Sequence, residues 1–354
     1  MVVPLLASAA MSLPVRNSSP WTGAYHAPPL ARWDSSWYNS VAVDGYRFDP
    51  AQPENNVGFY PLYPQAARLL AAALHAPLLP TGIVLSLACL GIALLLAGDL
   101  FVEWGGEGAG LAGAAALLAF PTAFFLAAFY TEAMFLLFAA AALWGARRGH
   151  WLLAGAAAAG ASLTRFNGFI LVAALAAYAL DELRKTGVRP PARAWAALAI
   201  ASAGAAAYPL YLWKRFGDPM LYVRSKMMGW PVRPAPPWTL VWRVFTQLWT
   251  APPADKLGPA VELASATLFL VLTVALLRRR LVPECVFAGG TLLLLLTSGT
   301  LDGIQRYVIV LFPCFLPLAL WLRRRPALGI AYLFGGFGSG VVLLHRYVHW
   351  IFVG

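Results

Sequence analysis

Asp34 stands in Arg32-Trp33-Asp34-Ser35-Ser36-Trp37-Tyr38, a polar and aromatic stretch in a chain otherwise dominated by apolar runs. A carboxylate so placed can take a proton from a hydroxyl, and tryptophans on both sides of it favour a membrane–water interface. Three further segments bring polar or ionisable groups into apolar surroundings: Tyr130-Thr131-Glu132, Thr164-Arg165-Phe166-Asn167, and Asp302 to Arg306 with Gln305. Arg165 and Arg306 carry guanidinium groups, which grip phosphate through charge-assisted hydrogen bonds. A base and cations together are the parts needed when a hydroxyl displaces a phosphate. A proton must leave the attacking oxygen while negative charge grows on the departing group.

Each of these residues also has an ordinary structural role. Asp34 can cap a helix, and Asp44 precedes Gly45 as a turn residue does. Glu132 opens a helix where its charge suits the dipole. Arg165 can pair with Glu132 inside a bundle, and Arg306 can snorkel to an interface. The residues alone leave these alternatives open.

The elements that must position them follow from composition. Of 354 residues, 60% are hydrophobic and only 12% charged, and mean hydropathy is +0.67. This describes an all-α, multi-pass membrane protein. The net charge of +11 does not indicate nucleic acid, because much of the excess lies in short loops between apolar runs, as in segments held on the cytoplasmic side. Cys89, Cys285 and Cys314 sit inside apolar runs without disulfide or metal spacing and read as small hydrophobes. There is no fixed-period repeat.

In chain order, residues 1–14 are apolar but shorter than the roughly 20 residues of a spanning helix. They lack the basic start of a signal peptide and read as the end of a first helix. Residues 15–80 form a first outer loop in which 59–79, holding Arg68 and His75 and bounded by prolines, lies at the interface. Spans are then expected at 81–102, 108–128, 131–146, 151–163, 169–180, 194–213, 258–277, 283–298, 307–322 and 327–344. The pieces on either side of Arg165 are short enough to be re-entrant halves. Crossing alternately from an outer loop, these spans leave Arg147-Arg148, the loop from Arg184 to Arg193, Arg278-Arg279-Arg280 and Arg323-Arg324-Arg325 all inside. Were 59–79 to cross, all four basic loops would be outside. With this topology Asp34, Glu132, Arg165 and Arg306 converge on the outer face, where charged groups at membrane depth must line a cavity or pair. A second long outer loop, 214–257, carries Lys214, Arg215, Arg224, Lys226, Arg233, Arg243 and Lys256, suited either to anionic lipid or to an acidic lipid-linked substrate.

Arg32-Trp33-Asp34, Tyr38, Asp44-Gly45-Tyr46 and Phe59-Tyr60-Pro61-Leu62-Tyr63-Pro64 resemble the first luminal loop of the PIG-V family, the GPI mannosyltransferase II group with its prokaryotic relatives. Phe120-Pro121 with Tyr130-Thr131-Glu132 is similar to a second block of that family, Thr164-Arg165-Phe166-Asn167-Gly168 to a third, and Gln305-Arg306-Tyr307 with Phe312-Pro313 to a weaker fourth. The resemblance implies a GT-C glycosyltransferase fold of about 10–11 transmembrane helices, a single domain over residues 1–354, and an active site on the outer face. It implies a polyprenyl-phosphate sugar donor and Asp34 as the base. Substrate contacts are then expected from Arg32, Trp33, Tyr38, Asp44, Tyr46, Tyr130, Glu132, Arg165, Asn167, Gln305 and Arg306.

The expected reaction moves a sugar, mannose by family, to a hydroxyl of a glycolipid or surface acceptor. The expected location is a plasma membrane, or the endoplasmic reticulum membrane in a eukaryote. No cofactor is expected: there is no DxD metal motif, and Asp34 and Asp44 share a cation only if the loop folds them together. Two competing classes are a transporter or flippase for a lipid-linked substrate and a non-catalytic partner subunit. A transporter commonly shows matching halves, which this sequence lacks.

Overall fold

The computed structural model describes residues 27–252 and 256–353, and these are helical without strands. The expected first-helix remnant at 1–14 lies outside them. The helices are α1 (Ser35–Asp44), α2 (Leu62–Leu74), α3 (Leu78–Gly105), α4 (Ala109–Leu118), α5 (Glu132–Arg147), α6 (Trp151–Thr164), α7 (Ile170–Thr186), α8 (Ala192–Phe216), α9 (Leu221–Gly229), α10 (Pro237–Thr250), α11 (Leu257–Arg278), α12 (Val282–Leu296), α13 (Ile304–Val308), α14 (Phe315–Arg323) and α15 (Pro326–Val348). Among the described residues, five segments are long and apolar enough to cross a membrane: α3, Phe166–Thr186, α8, α11 and α15. Shorter apolar helices fill in between them, giving a polytopic bundle. The chain is a multi-pass membrane protein.

Two expected spans are not continuous helices. In 108–128 only α4 is a regular helix; after Pro121 the backbone turns into a 3-10 segment, Ala123–Ala127. Proline pushes its predecessor out of the helical region. Non-helical backbone is tolerated at this depth because protein rather than lipid satisfies it: Ser86 Oγ donates to the Ala128 carbonyl at 2.8 Å, and Phe129 N donates to the Leu30 carbonyl at 2.9 Å. The second case is 307–322. Here α13 stops at Val308, and Pro313 sits in a 3-10 turn, Phe312–Cys314, before α14 begins. The whole break is buried.

Near Arg165 the reading of two short halves holds only for α6. The second half runs to Thr186 and is 21 residues long counted from Phe166, because the polar end extends the helix through an Asp181–Lys185 pair of i,i+4 spacing at 2.6 Å. α2, with 13 residues, falls short of the roughly 20 needed to cross. It buries Tyr63, Ala67 and Ala71 on one face and exposes Arg68 and Leu69 on the other. The second long loop contains α9 and α10.

Small residues allow close helix approach. A Cβ at Gly204 would lie 2.3 Å from Ala159 Cβ, and one at Gly155 would lie 2.6 Å from Ala197 Cα. Thus α6 and α8 touch almost backbone to backbone, as in membrane helix pairs with small residues at the interface. At one end of the bundle, Arg147 of α5 and Arg148 just after it meet Glu103 and Asp99 of α3 at 2.5 Å each.

Candidate active site

Asp34 precedes α1, but its side chain makes no cap hydrogen bond. It reaches inward instead. Arg306 Nη1 donates to Asp34 Oδ2 at 2.7 Å, Arg306 Nε donates to Glu132 Oε1 at 2.6 Å, and Arg165 Nη1 donates to the same Glu132 oxygen at 2.7 Å. The result is one chain of alternating charge, Asp34–Arg306–Glu132–Arg165, drawn from four distant segments. Glu132 is 0% exposed at its centre, while the Asp34 side chain at its outer end is 26% exposed. A buried carboxylate is tolerable only with such partners, and its place in the first turn of α5 adds a favourable dipole.

Local geometry explains how each group is aimed. Trp33 takes a left-handed conformation (φ 54°), which costs energy for a bulky residue and must be held from outside. Two tyrosines hold it. The Tyr130 hydroxyl donates to the Arg32 carbonyl at 3.0 Å and accepts from Asp34 N–H at 3.1 Å. The Tyr347 hydroxyl donates to the Arg32 carbonyl at 3.1 Å and accepts from Arg32 N–H at 3.0 Å. The Trp33 ring then packs against Trp350 and Phe352, each with centroids 5.8 Å away. Arg165 ends α6 in extended backbone, and a 3-10 turn, Phe166–Phe169, folds back on the helix. This requires Gly168, since a Cβ there would lie 2.4 Å from Ala161 carbonyl carbon. Arg165 also donates to Thr131 Oγ1 at 3.2 Å, and the Tyr38 hydroxyl lies 3.3 Å from that same oxygen.

Two cavities meet at this cluster. One of about 230 Å³ is walled by Trp33, Tyr130, Trp230, Tyr347 and Phe352. The other, about 720 Å³, is bounded by Phe59, Tyr60, Phe166, Asn167, Tyr222, Leu294 and Leu295. Asp34, Arg306, Lys226 and Tyr307 line both. Burial among aromatic rings pushes the Lys226 ammonium down to about 8.

Of the residues expected at the site, Asp34, Trp33, Tyr38, Tyr130, Glu132, Arg165, Asn167 and Arg306 come together here. Arg32 contributes its backbone, with its guanidinium 5.3 Å from the Trp350 ring centroid. Tyr46 lies to one side, donating to the Phe59 carbonyl at 2.7 Å, with its ring tilted against those of Tyr208 and Tyr211. Asp44 ends α1 at the surface, 3.7 Å from Arg47, and lines neither cavity. Asp34 and Asp44 are therefore not folded together, and among the described residues no cluster of three or more potential metal ligands occurs. Gln305 meets Thr122 through its backbone carbonyl, at 2.8 Å. Lys226, Trp230 and Tyr347 were not singled out by sequence. A lysine among seven cations of a long loop has no distinguishing spacing.

The family model for mannosyltransferase (PIG-V) matches residues 4–186. The chain belongs to that family. The match includes Asp34, Glu132 and Arg165 and ends before Lys226 and Arg306. No curated protein matches. Among solved structures the chain is similar to the Archaeoglobus fulgidus oligosaccharyltransferase, crystallised with Zn and sulfate, with TM-score 0.48 and 14% identity over 99% of this chain and 53% of that one. The present chain thus spans about half of that protein's length.

Proposed function

We propose that the protein is a membrane glycosyltransferase that moves mannose from a polyprenyl-phosphate donor to a hydroxyl of a lipid-linked or surface acceptor on the extracytoplasmic face. The observation that carries this reading is the position of Asp34 and Arg306, a carboxylate and a guanidinium 2.7 Å apart where two cavities meet. The acceptor oxygen attacks the anomeric carbon, the bond from that carbon to the phosphate oxygen breaks, and the phosphate leaves with the electron pair. The acceptor proton passes to Asp34. Arg306, with Arg165 behind it, balances the charge that grows on the phosphate. Glu132 holds both guanidinium groups in place.

A lipid donor accounts for a site fed from the bilayer. The larger cavity takes the donor, since Leu294 and Leu295 of α12 and Phe166 form an apolar wall beside the charges. The smaller one, rimmed by Trp33 and Trp230, takes the acceptor sugar against aromatic faces. α10 lies close by and exposes Trp238, Trp242, Phe245 and Trp249, spaced to share one helix face. An amphipathic helix of this kind rests at the lipid interface. The membrane is a plasma membrane in a prokaryote, and no cofactor is invoked.

The test is incubation of the purified full chain with labelled polyprenyl-phosphate mannose and short-chain polyprenol-linked glycans. Transfer of label in wild type and its loss in Asp34→Asn is the expected result. Label that stays on the donor with every hydroxyl acceptor offered, while the intact lipid-linked sugar crosses a vesicle membrane, would favour the flippase reading.

A further inference from the structure

Lys226 lies half-buried in α9, where its Nζ stands 4.0 Å from the centroid of the Phe59 ring and 3.9 Å from that of Trp230. Trp37 completes the enclosure, with centroids 5.8 Å from Phe59 and 6.2 Å from Trp230. Cation–π contacts partly replace lost water but leave all three N–H donors without an anionic acceptor. No carboxylate among the described residues is within ion-pair distance of Nζ. The four-residue charge chain beside it is balanced, two carboxylates against two guanidinium groups. Lys226 adds a positive charge where both cavities meet, with Glu54 acting on it only from beyond ion-pair distance. A half-buried cation that faces two cavities without an ion-pair partner is well placed to take an anionic ligand.

We propose that Lys226 binds the phosphate of a polyprenyl-phosphate ligand from α9, in the cavities that Arg306 also lines. This rests on the proposed donor class, and it identifies the group outside the family-matched segment that selects for it. The ammonium also lies over the Gly58 backbone. A Cβ at Gly58 would meet Lys226 Cε at 3.2 Å and Nζ at 3.5 Å, so the side chain is seated by close approach rather than left free.

The groups that act on this ammonium are Asp34 before α1, Glu54 in the first loop, Arg165 after α6 and Arg306 in α13. The two carboxylates favour its charged form, and the two guanidinium groups oppose it. Burial exceeds both, and the titration midpoint falls to about 8. Phosphate affinity is thus highest when the amine is protonated and declines as pH rises through and beyond that point.

The experiment measures binding of three probes to the full chain in nanodiscs: a short-chain polyprenyl monophosphate, the same polyprenol without phosphate, and inorganic phosphate. Wild type is expected to prefer the lipid phosphate at least tenfold over either of the others. Lys226→Met should lose that preference for phosphate over alcohol, with a melting temperature close to wild type because no ion pair is broken. Lys226→Arg should retain binding at pH 9.5, where wild type weakens. Gly58→Ala should weaken binding severalfold with the lysine still present. Equal binding by wild type and Lys226→Met overturns the proposal and leaves the donor reading standing. Absence of lipid-phosphate binding in wild type overturns both. Lysine-dependent binding of inorganic phosphate as tight as the lipid probe overturns the lipid source.

Discussion

Arg306 Nη1 reaches Asp34 Oδ2 at 2.7 Å although 272 residues separate them in the chain. The first loop is thus tied directly to the last quarter of the protein, and the tie is made by the two groups proposed to act on opposite sides of the reacting bond. Glu132 makes the arrangement possible. It faces two guanidinium groups that would otherwise repel each other in a buried space.

Glu132→Gln should therefore damage the fold rather than the chemistry alone. Removing one partner from a buried ionic group typically costs about 3–5 kcal/mol, and here two cations lose their shared counterion. The expected outcome is a large drop in melting temperature and in yield from the membrane. A variant as stable as wild type but inactive would make Glu132 a direct participant instead.

Gly168→Ala tests how Arg165 is aimed. The added methyl meets the Ala161–Ser162 backbone at 2.4 Å, contact that no side-chain rotation relieves. Overpacking of this kind costs typically 1–3 kcal/mol. Activity is expected to fall further than stability, because the turn that carries Arg165 must open. Thermal melting and turnover measured on one preparation separate the two.

Much of this was legible in the sequence, for a specific reason. Glu132, Arg165 and Arg306 interrupt apolar runs, and burial makes such groups expensive enough to stand out. Asp34 is favoured over Asp44 in the sequence by its flanking tryptophans and its place in the family resemblance, while Asp44 before Gly45 reads equally as a turn residue. What the sequence does not carry is that the chain turns Asp34 onto Arg306 and leaves Asp44 at the surface beside Arg47. Lys226 was hidden for the opposite reason: in a basic loop one more cation is ordinary, and its significance lies in the rings of Phe59 and Trp230, distant in sequence. The spans at 108–128 and 307–322 were misjudged because hydrophobicity reports burial, and a buried broken segment such as that around Pro121 or Pro313 is as apolar as a helix.

The orientation is open to labelling. Gln52 and Val188 are both exposed, the first in the loop after α1 and the second in the basic loop after α7. In a background with Cys89, Cys285 and Cys314 replaced, Gln52→Cys should react with an impermeant maleimide applied from outside, and Val188→Cys only after the membrane is opened. The reverse pattern would put the site on the inner face.

α10 should lie shallow in the outer leaflet. Trp238 is 72% and Trp249 80% exposed, values expected of rings that contact headgroups and upper acyl chains. With the other tryptophans outside α10 replaced by Phe where tolerated, lipids brominated near the glycerol should quench its fluorescence more than lipids brominated near the chain end. Quenching by neither would place the helix in water.

Asp34→Asn is the sharpest of the tests. Asparagine keeps the size of the side chain and still offers an oxygen to Arg306, while Arg306 retains Glu132 at 2.6 Å; the charge chain loses one end and keeps its centre. Since the Asp34 side chain is 26% exposed, loss of its charge leaves no fully buried group unpaired. Stability and binding of a short-chain polyprenyl phosphate should stay near wild type. Basicity is gone, however, and turnover should fall by roughly 10²–10⁴-fold, the usual contribution of acid–base catalysis. Asp44→Asn is the control: its carboxylate lies at the end of α1 near Arg47, away from both cavities, and should change turnover little. A normal rate in Asp34→Asn with loss in Asp44→Asn would move the base, and normal rates in both would remove the mechanism.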